Sequence, residues 1–530
     1  MSKFATKNEI ESHTACVMID EAIRLVRETG SHDAILDDPI LEELFHTFVP
    51  ASGTVVGSLH KGTVQVLDTD SHDVIVASSG RKKTRAEILP SIISFALNGS
   101  PMVVNDMKGE ILSASCGLLE AMGYNVFVLD YRNPESSPNS YNLLSLAWHR
   151  FNDGNCDAAA KVIRNIAEVL YAELSAQTND LYWTHMSTEY FCGIALGLLE
   201  YGCPIEAFTF ETIYATASMN ITSLKSAFAE LKGTIAERNT HGTLYAPNDT
   251  RASIESVFSA PLSTFCSQQG LMEMMSWSDF IPEDLATEKT ALFIVSPDEN
   301  ANVAPIVTAM FSQLMSELVS VATRRGGVLP NAVQFVLDEF GNLRRIPNFE
   351  HIVSAARSRG IRLHIVLQST SQLTYVYGKE VEEIIVGNIY NWIYMGTRDL
   401  RFLKKFSEQL GTATMPSGKE VPVLSVPVLG TLEKRMEESE AICLIEDLLP
   451  YLATLPDYGY FEELPSPSGG LKKTKRRAHK VFDITKANRK SVCPAVKRSG
   501  DEGLDLGSLM AKIDARIAEI EAEETAETSE

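Results

Sequence analysis

The chain has 530 residues, 45% hydrophobic and 22% charged, with 47 Lys+Arg against 69 Asp+Glu and a net charge of -22. That length exceeds a single hydrophobic core and predicts two or three domains, and the acidic balance excludes a surface coated throughout with nucleic acid while leaving room for a local basic channel. The eight cysteines show neither a CxxC pair nor zinc-ligand spacing, a pattern that predicts free thiols in a reducing, cytosolic setting. The N-terminus lacks the apolar run of a signal peptide, no window approaches the ~20 apolar residues of a membrane helix, and the chain reads as soluble.

Residues 1–50 form a predicted helical segment, with apolar residues at helical spacing from Glu9 to Thr29. Thr54-Val55-Val56 and Thr63-Val64-Gln65-Val66-Leu67 flank Gly57 to Gly62 and read as a hairpin. Next comes a strand, Asp73 to Ala77, then a small-residue loop, a Lys-Thr pair and a helix from Ala86. In a nucleotide-binding sheet this is the place of a P-loop, whose amides cradle phosphates while its lysine reaches the β- and γ-phosphates and its hydroxyl binds Mg²⁺. Against G-x-x-x-x-G-K-[ST], Lys83 and Thr84 fit, but Ala77 and Lys82 replace the glycines. Two readings stay open: a phosphate loop comprising Ser78, Ser79, Gly80, Arg81, Lys82, Lys83, Thr84 and Arg85, or a basic loop that merely opens a helix.

Pro101 to Asn105 reads as a buried strand, followed by a helix from Ile111 to Met122 and a strand from Asn125 to Asp130, a βαβ rhythm. From about 153 to 275 the strand signal vanishes, and Cys156–Gln177, Leu181–Tyr201, Ile205–Ser218, Ser223–Glu237 and Ser253–Gln269 read as helices of an inserted all-α domain. The sheet rhythm returns with Thr290 to Val295 and the helix Ala304 to Ala322.

Val333-Gln334-Phe335-Val336-Leu337 then runs straight into Asp338 and Glu339. An apolar run without alternation predicts a strand covered on both faces, and ligands of open α/β sheets bind beyond the carboxyl ends of the strands. The acids there suit either a nucleotide-Mg²⁺ site or the capping of a following turn. A strand from Leu363 to Leu367 ends at Gln368, in the position where RecA-like ATPases sense the γ-phosphate, and another runs from Asn391 to Thr397. After about 465 a Pro/Gly linker leads into a basic segment, 472–498, then an amphipathic stretch from Leu506 and an acidic tail. The predicted organisation is therefore a helical segment (1–50), a sheet domain in two parts (51–150 and 281–464), the all-α insertion (151–280) and a C-terminal extension (465–530).

Taken in order, these blocks resemble the conjugative coupling proteins of type IV secretion, the TraG/TraD family of DNA-transfer ATPases. Asp106-Met107-Lys108-Gly109-Glu110 looks like that family's Asp-Pro-Lys-Gly-Glu, Val336 to Phe340 like its Walker B, and Gln368 to Leu373 and Gly396 to Asp399 like two further blocks. The resemblance implies an α/β fold with a RecA-like P-loop NTPase domain and an inserted all-α domain. It also implies ATP and Mg²⁺ as ligands, assembly as a homo-hexamer, and transfer of relaxase-bound single-stranded DNA to a type IV secretion channel.

By motif, Lys83 would contact phosphates and Thr84 and Asp338 would hold Mg²⁺. Glu339 would polarise the attacking water, Gln368 would sense the γ-phosphate, and Arg357 would act as an arginine finger on the neighbour, with Arg359 as the fallback. Many family members carry N-terminal membrane helices. Their absence here implies a shortened or soluble member, or an anchor supplied by a partner, at the cytoplasmic face of the bacterial inner membrane. The altered glycines admit a second reading, a non-hydrolysing adaptor of the conjugation machinery. A cytosolic translocase unrelated to secretion is a third.

Overall fold

The computed structural model describes residues 4–177, 181–297, 302–414, 419–467, 471, 473–474 and 480–489. Its N-terminal part departs from the helical segment expected over residues 1–50, within the stretch Glu9–Thr29 that carries apolar residues at helical spacing. Helices Lys7–His13 and Ile19–Thr29 are separated by strand β1 (Ala15–Met18). The first helix is stopped early because a remote partner competes for the backbone. Ala15 to Met18 pairs antiparallel with β3 (Thr63–Leu67), which itself pairs with β2 (Thr54–His60) across the expected hairpin. Propensity in a short segment yields readily to such pairing.

The main sheet contains β4 (Asp73–Ala77), β5 (Met102–Asn105), β6 (Asn125–Asp130), β7 (Thr290–Val295), β8 (Val333–Leu337), β9 (Ile361–Leu367) and β10 (Asn391–Gly396). β11 (Thr412–Thr414) and β12 (Glu420–Pro422) form a separate ribbon, and β13 (Glu438–Leu444) and β14 (Tyr451–Pro456) complete the main sheet. Among the described residues its nine strands run in the order β14-β13-β10-β4-β9-β8-β5-β7-β6. From β10 to β6 every pairing is parallel, and β13 and β14 close one edge antiparallel. β7 lies between β5 and β6, so their βαβ crossover skips one position.

The central strands β4, β5, β7, β8 and β10 are buried at every residue, because helices cover both faces. One apolar cluster joins one sheet face to the helices that follow β6. The other joins the opposite face to the N-terminal strands and the helices Leu89–Leu97 and Glu110–Ala121. The helix Ala304–Arg324 is long and apolar enough to cross a membrane, contrary to the expectation of no such window, yet most of it is buried against the first cluster.

Between β6 and β7 the described residues contain helices and no strand. The helix expected over Ser223–Glu237 is two helices, Ile221–Glu230 and Ile235–Leu244. Gly233 at φ +87° breaks the first, and the Thr234 side chain caps the second. Among the described cysteines, Cys16, Cys116, Cys192, Cys203, Cys266 and Cys443 are free, whereas Cys156 is disulfide-bonded, against the expectation of free thiols throughout. From the basic extension, residues 480–489 lie on the helical region: Ile484 is buried, the Phe482 N–H donates to Thr212 Oγ1 at 3.4 Å, and Arg489 Nη1 donates to the Glu230 carbonyl at 2.8 Å. The predicted amphipathic helix from Leu506 and the acidic tail lie outside the described residues.

Candidate functional site

The parallel order places the carboxyl ends of β4, β9 and β8 side by side, and β4 is followed by the loop Ser78–Lys83. The register aligns Val76 with Leu367 and Leu337 with Ile365, so these three strands end within about two residues of one another. Lys83, Gln368, Asp338 and Glu339 therefore converge on one rim. Lys83 Nζ is 3.1 Å from Asp338 Oδ1 and is also hydrogen-bonded to Glu339 Oε1. Gln368 Nε2 donates to Glu339 Oε2 at 3.2 Å, and Gln372 Oε1 holds the Gln368 N–H at 2.8 Å.

Glu339 leaves the strand with φ +51°, and its N–H donates to Asp338 Oδ1 at 3.0 Å. A non-glycine residue in this region is uncommon and concentrates at functional turns. The turn aims both carboxylates at the same lysine. Burial pushes the Asp338 carboxyl above its usual range, against the opposing pull of the Lys83 ammonium.

The loop itself is pinned from both sides. The Ser78 N–H donates to the Gly396 carbonyl at 2.9 Å, and Ser78 Oγ donates to Thr397 Oγ1 at 3.2 Å, tying the loop to the end of β10. Gly80 (φ +80°) and Lys82 (φ +62°) both take left-handed backbone. Lys82 thus adopts the kind of conformation that the motif's glycine allows without cost. Its side chain leaves the acids altogether, with Nζ 2.8 Å from Asp457 Oδ2 and 2.6 Å from the Met436 carbonyl oxygen.

Thr84 opens a wide helical turn, Thr84–Ile88, in which the Leu89 N–H reaches the Thr84 carbonyl. Such π-type turns concentrate at functional sites. Ser79 is exposed beside Gly80. Arg81 Nη1 donates to the Leu432 carbonyl at 2.8 Å, and Arg85 is paired with Asp457, so these two guanidinium groups are turned from the acids toward the edge hairpin.

Arg357 lies before β9 begins, at the opposite end of that strand from Gln368. It contacts Asp70 at 3.1 Å and Glu446 at 3.4 Å and stacks 5.1 Å above Tyr390. Within one chain it is not part of the rim cluster. Arg359 Nη1 donates to the Ala355 carbonyl at 2.8 Å.

Asp106 caps the helix Glu110–Ala121, its two oxygens accepting the Gly109 and Leu112 N–H groups at 2.8 Å each. Asp399 accepts hydrogen bonds from Ser369 and Ser371, joining two of the sequence blocks into one rim. Sequence reasoning missed Asn105. It is fully buried at the end of β5 and donates to the Asp338 carbonyl at 2.6 Å, while its Oδ1 has no partner. Its one signal was position, the last residue of a strand that leads into the Asp-Met-Lys-Gly-Glu block.

The Asp338 and Glu339 carboxylates, the Lys83 ammonium between them and the Gln368 amide make a hard, polar rim, with Thr84 one residue beyond the lysine. That donor set fits Mg²⁺ with a nucleotide phosphate.

Glu87, behind this rim, is fully enclosed. Burial raises its carboxyl to about 8, Ser91 Oγ donates to it at 2.9 Å, and the charges of Asp73 and Asp338 add to the shift. A carboxyl whose pKa rises on folding holds its proton in the folded chain while the unfolded chain has lost it, so stability falls as pH rises through the interval from about 4.5 to 8. The expected loss between pH 6 and pH 8 is roughly 2 kcal/mol. Denaturant titrations at the two pH values should show that slope in wild type and its disappearance in Glu87→Gln.

A parallel sheet with helices on both faces, a strand–loop–helix bearing a Lys-Thr pair, and acids with a glutamine on the adjoining strand ends define the fold as that of the RecA-like P-loop domains, carrying an all-α insertion. The family model for type IV secretory system conjugative DNA transfer matches residues 38–420, and the chain belongs to that family. It is 24% identical over 375 residues to the protein VirD4 of Rhizobium radiobacter, covering 69% of this chain and 52% of that protein. It is also 24% identical over 372 residues to VirD4 of Agrobacterium fabrum strain C58, covering 69% and 53%. The chain spans about half the length of these curated relatives. In fold it is similar to the bacterial conjugative coupling protein TrwBΔN70 in its unbound form, with TM-score 0.57 and 16% identity over 82% of this chain and 94% of the other. It is likewise similar to plasmid coupling protein TrwB in complex with ADP and Mg²⁺, with TM-score 0.55 and 16% identity over 77% and 90%.

Proposed function

We propose that the chain is an ATP-dependent coupling protein that recruits relaxase-bound single-stranded DNA to a type IV secretion channel at the inner face of the bacterial membrane. The observation that carries this reading is the convergence of Lys83, Asp338, Glu339 and Gln368 on the ends of three adjacent parallel strands. With nucleotide bound, Lys83 would turn from the acids to the β- and γ-phosphates of ATP, and Thr84 and Asp338 would hold Mg²⁺. The metal would supply neutralisation of phosphate charge. Glu339, released by Lys83, orients the attacking water, and Gln368 links that carboxylate to the γ-phosphate end of the site.

The left-handed backbone of Lys82 supports this reading over the non-hydrolysing adaptor, whose main motive was the missing glycine. Arg357 is assigned to a neighbour's nucleotide in a homo-hexameric ring, exchanging its Asp70 and Glu446 contacts on assembly. Removing such a trans arginine is expected to lower turnover ~10³-fold while nucleotide affinity holds. The test measures ATP hydrolysis with and without single-stranded DNA, for wild type, Arg357→Ala and Glu339→Gln, singly and mixed. Partial recovery in mixtures of the two inactive variants is expected. Full activity of Arg357→Ala alone would remove the finger assignment.

A further inference from the structure

Asp457 begins the turn that follows β14, and only 1% of its side chain is exposed. Oδ2 accepts from Lys82 Nζ at 2.8 Å and from Arg85 Nε at 3.1 Å. Oδ1 accepts from Arg85 Nη2 at 2.7 Å and from the Gly459 N–H at 3.0 Å. The Arg85 guanidinium also lies 4.7 Å over the Tyr458 ring. Neighbouring contacts reach the loop from the same side: Lys82 Nζ to the Met436 carbonyl, Arg81 to the Leu432 carbonyl, and Lys434 Nζ to the Gly80 carbonyl at 2.6 Å. The antiparallel edge of the sheet therefore grips the loop that carries Lys83. Burial alone would raise the Asp457 carboxyl, but the hydrogen bonds from Arg85 and Lys82 outweigh it and hold the group below its usual range.

Two consecutive lysines in this loop are sent in opposite directions, Lys83 to the acids and Lys82 to Asp457. Lys82 does so from a backbone at φ +62°, where a β-carbon is disfavoured and some outside contact must hold it. We propose that Asp457 is a positioning residue for the nucleotide loop, anchoring the Lys82 ammonium so that this lysine keeps the left-handed turn a glycine would otherwise supply. The inference rests on the nucleotide site proposed above and explains how that site tolerates a lysine. Without the anchor, Lys82 relaxes to ordinary backbone, the turn that leads into Lys83 is reshaped, and a second flexible cation enters the site.

The role makes the two positions interdependent, which a purely structural Asp457–Arg85 pair does not. Binding of a fluorescent Mg-ADP analogue to the full chain is measured for wild type, Asp457→Asn, Lys82→Gly and the double variant. The expected losses are about tenfold for Asp457→Asn in the wild-type background and less than about twofold in the Lys82→Gly background. Lys82→Met, which keeps the β-carbon and loses the anchor with Asp457 intact, is expected to bind about tenfold more weakly than Lys82→Gly. The Lys82 pair carries the test if Asp457→Asn melts far below wild type. Equal losses from Asp457→Asn in both backgrounds, or equal affinities of Lys82→Met and Lys82→Gly, would overturn the proposal. If wild type and Lys82→Gly both fail to bind the analogue, the nucleotide site itself is wrong and the inference falls with it. Binding by wild type with no coupling defeats the inference alone.

Discussion

Lys83→Ala is expected to weaken Mg-ADP binding roughly a hundredfold, the ratio set by ~2.7 kcal/mol. The lysine sits in a nearly buried site against two carboxylates, and its ammonium is the group positioned to exchange them for phosphate oxygens. An alanine removes the charge-assisted contact to phosphate. It also leaves Asp338 and Glu339 facing each other without this cation, which repels the incoming anion as well as destabilising the apo chain. Titration calorimetry at a temperature where both proteins are folded separates the two effects. Affinity within threefold of wild type would place the phosphates elsewhere.

Glu339→Gln is expected to behave differently, lowering turnover by ~10² to 10⁴ with little change in affinity. The amide keeps the size of the side chain and the contact with Gln368 at 3.2 Å, but it cannot draw a proton from water. The left-handed turn at Glu339 directs its carboxylate to the same lysine that faces Asp338. Replacing it therefore removes the base without disturbing the strand end. Single-turnover hydrolysis read beside the dissociation constant checks this split. A parallel fall in both would mean that Glu339 holds the metal or the fold and does not act on water.

Much of this arrangement is legible in the residues because parallel strands are covered on both faces. β8 occupies Val333–Leu337, the stretch whose run without alternation predicts such a strand, and every residue of it is buried. Once the acids and Gln368 are placed at strand ends, their convergence follows from strand order, although the order itself comes from pairings too remote for periodicity to show. β1 was absorbed into a helical reading because its partner, β3, lies about fifty residues away. β13 went unread for a related reason: as part of the antiparallel edge, it mixes exposed, intermediate and buried positions.

Lys82 shows the limit most clearly. The sequence marks it correctly as a β-carbon where glycine is usual, and from there loss of function follows naturally. Its compensation lies in an aspartate 375 residues further along the chain, in a Pro-Asp-Tyr-Gly stretch outside every block singled out in the sequence. Arg357 is the converse case. A position by motif matched it to a ring neighbour's site, and the single chain holds it against Asp70 and Glu446.

The central claim is that a loop with lysine in place of glycine, set against Asp338 and Glu339, still forms a working Mg-ATP site. The most direct measurement is Mg-ATP binding and hydrolysis by the purified wild-type chain at millimolar nucleotide, with and without single-stranded DNA. Saturable binding with turnover that rises on adding DNA is the predicted result. No Mg-ATP binding at millimolar concentration by the folded chain would contradict the account.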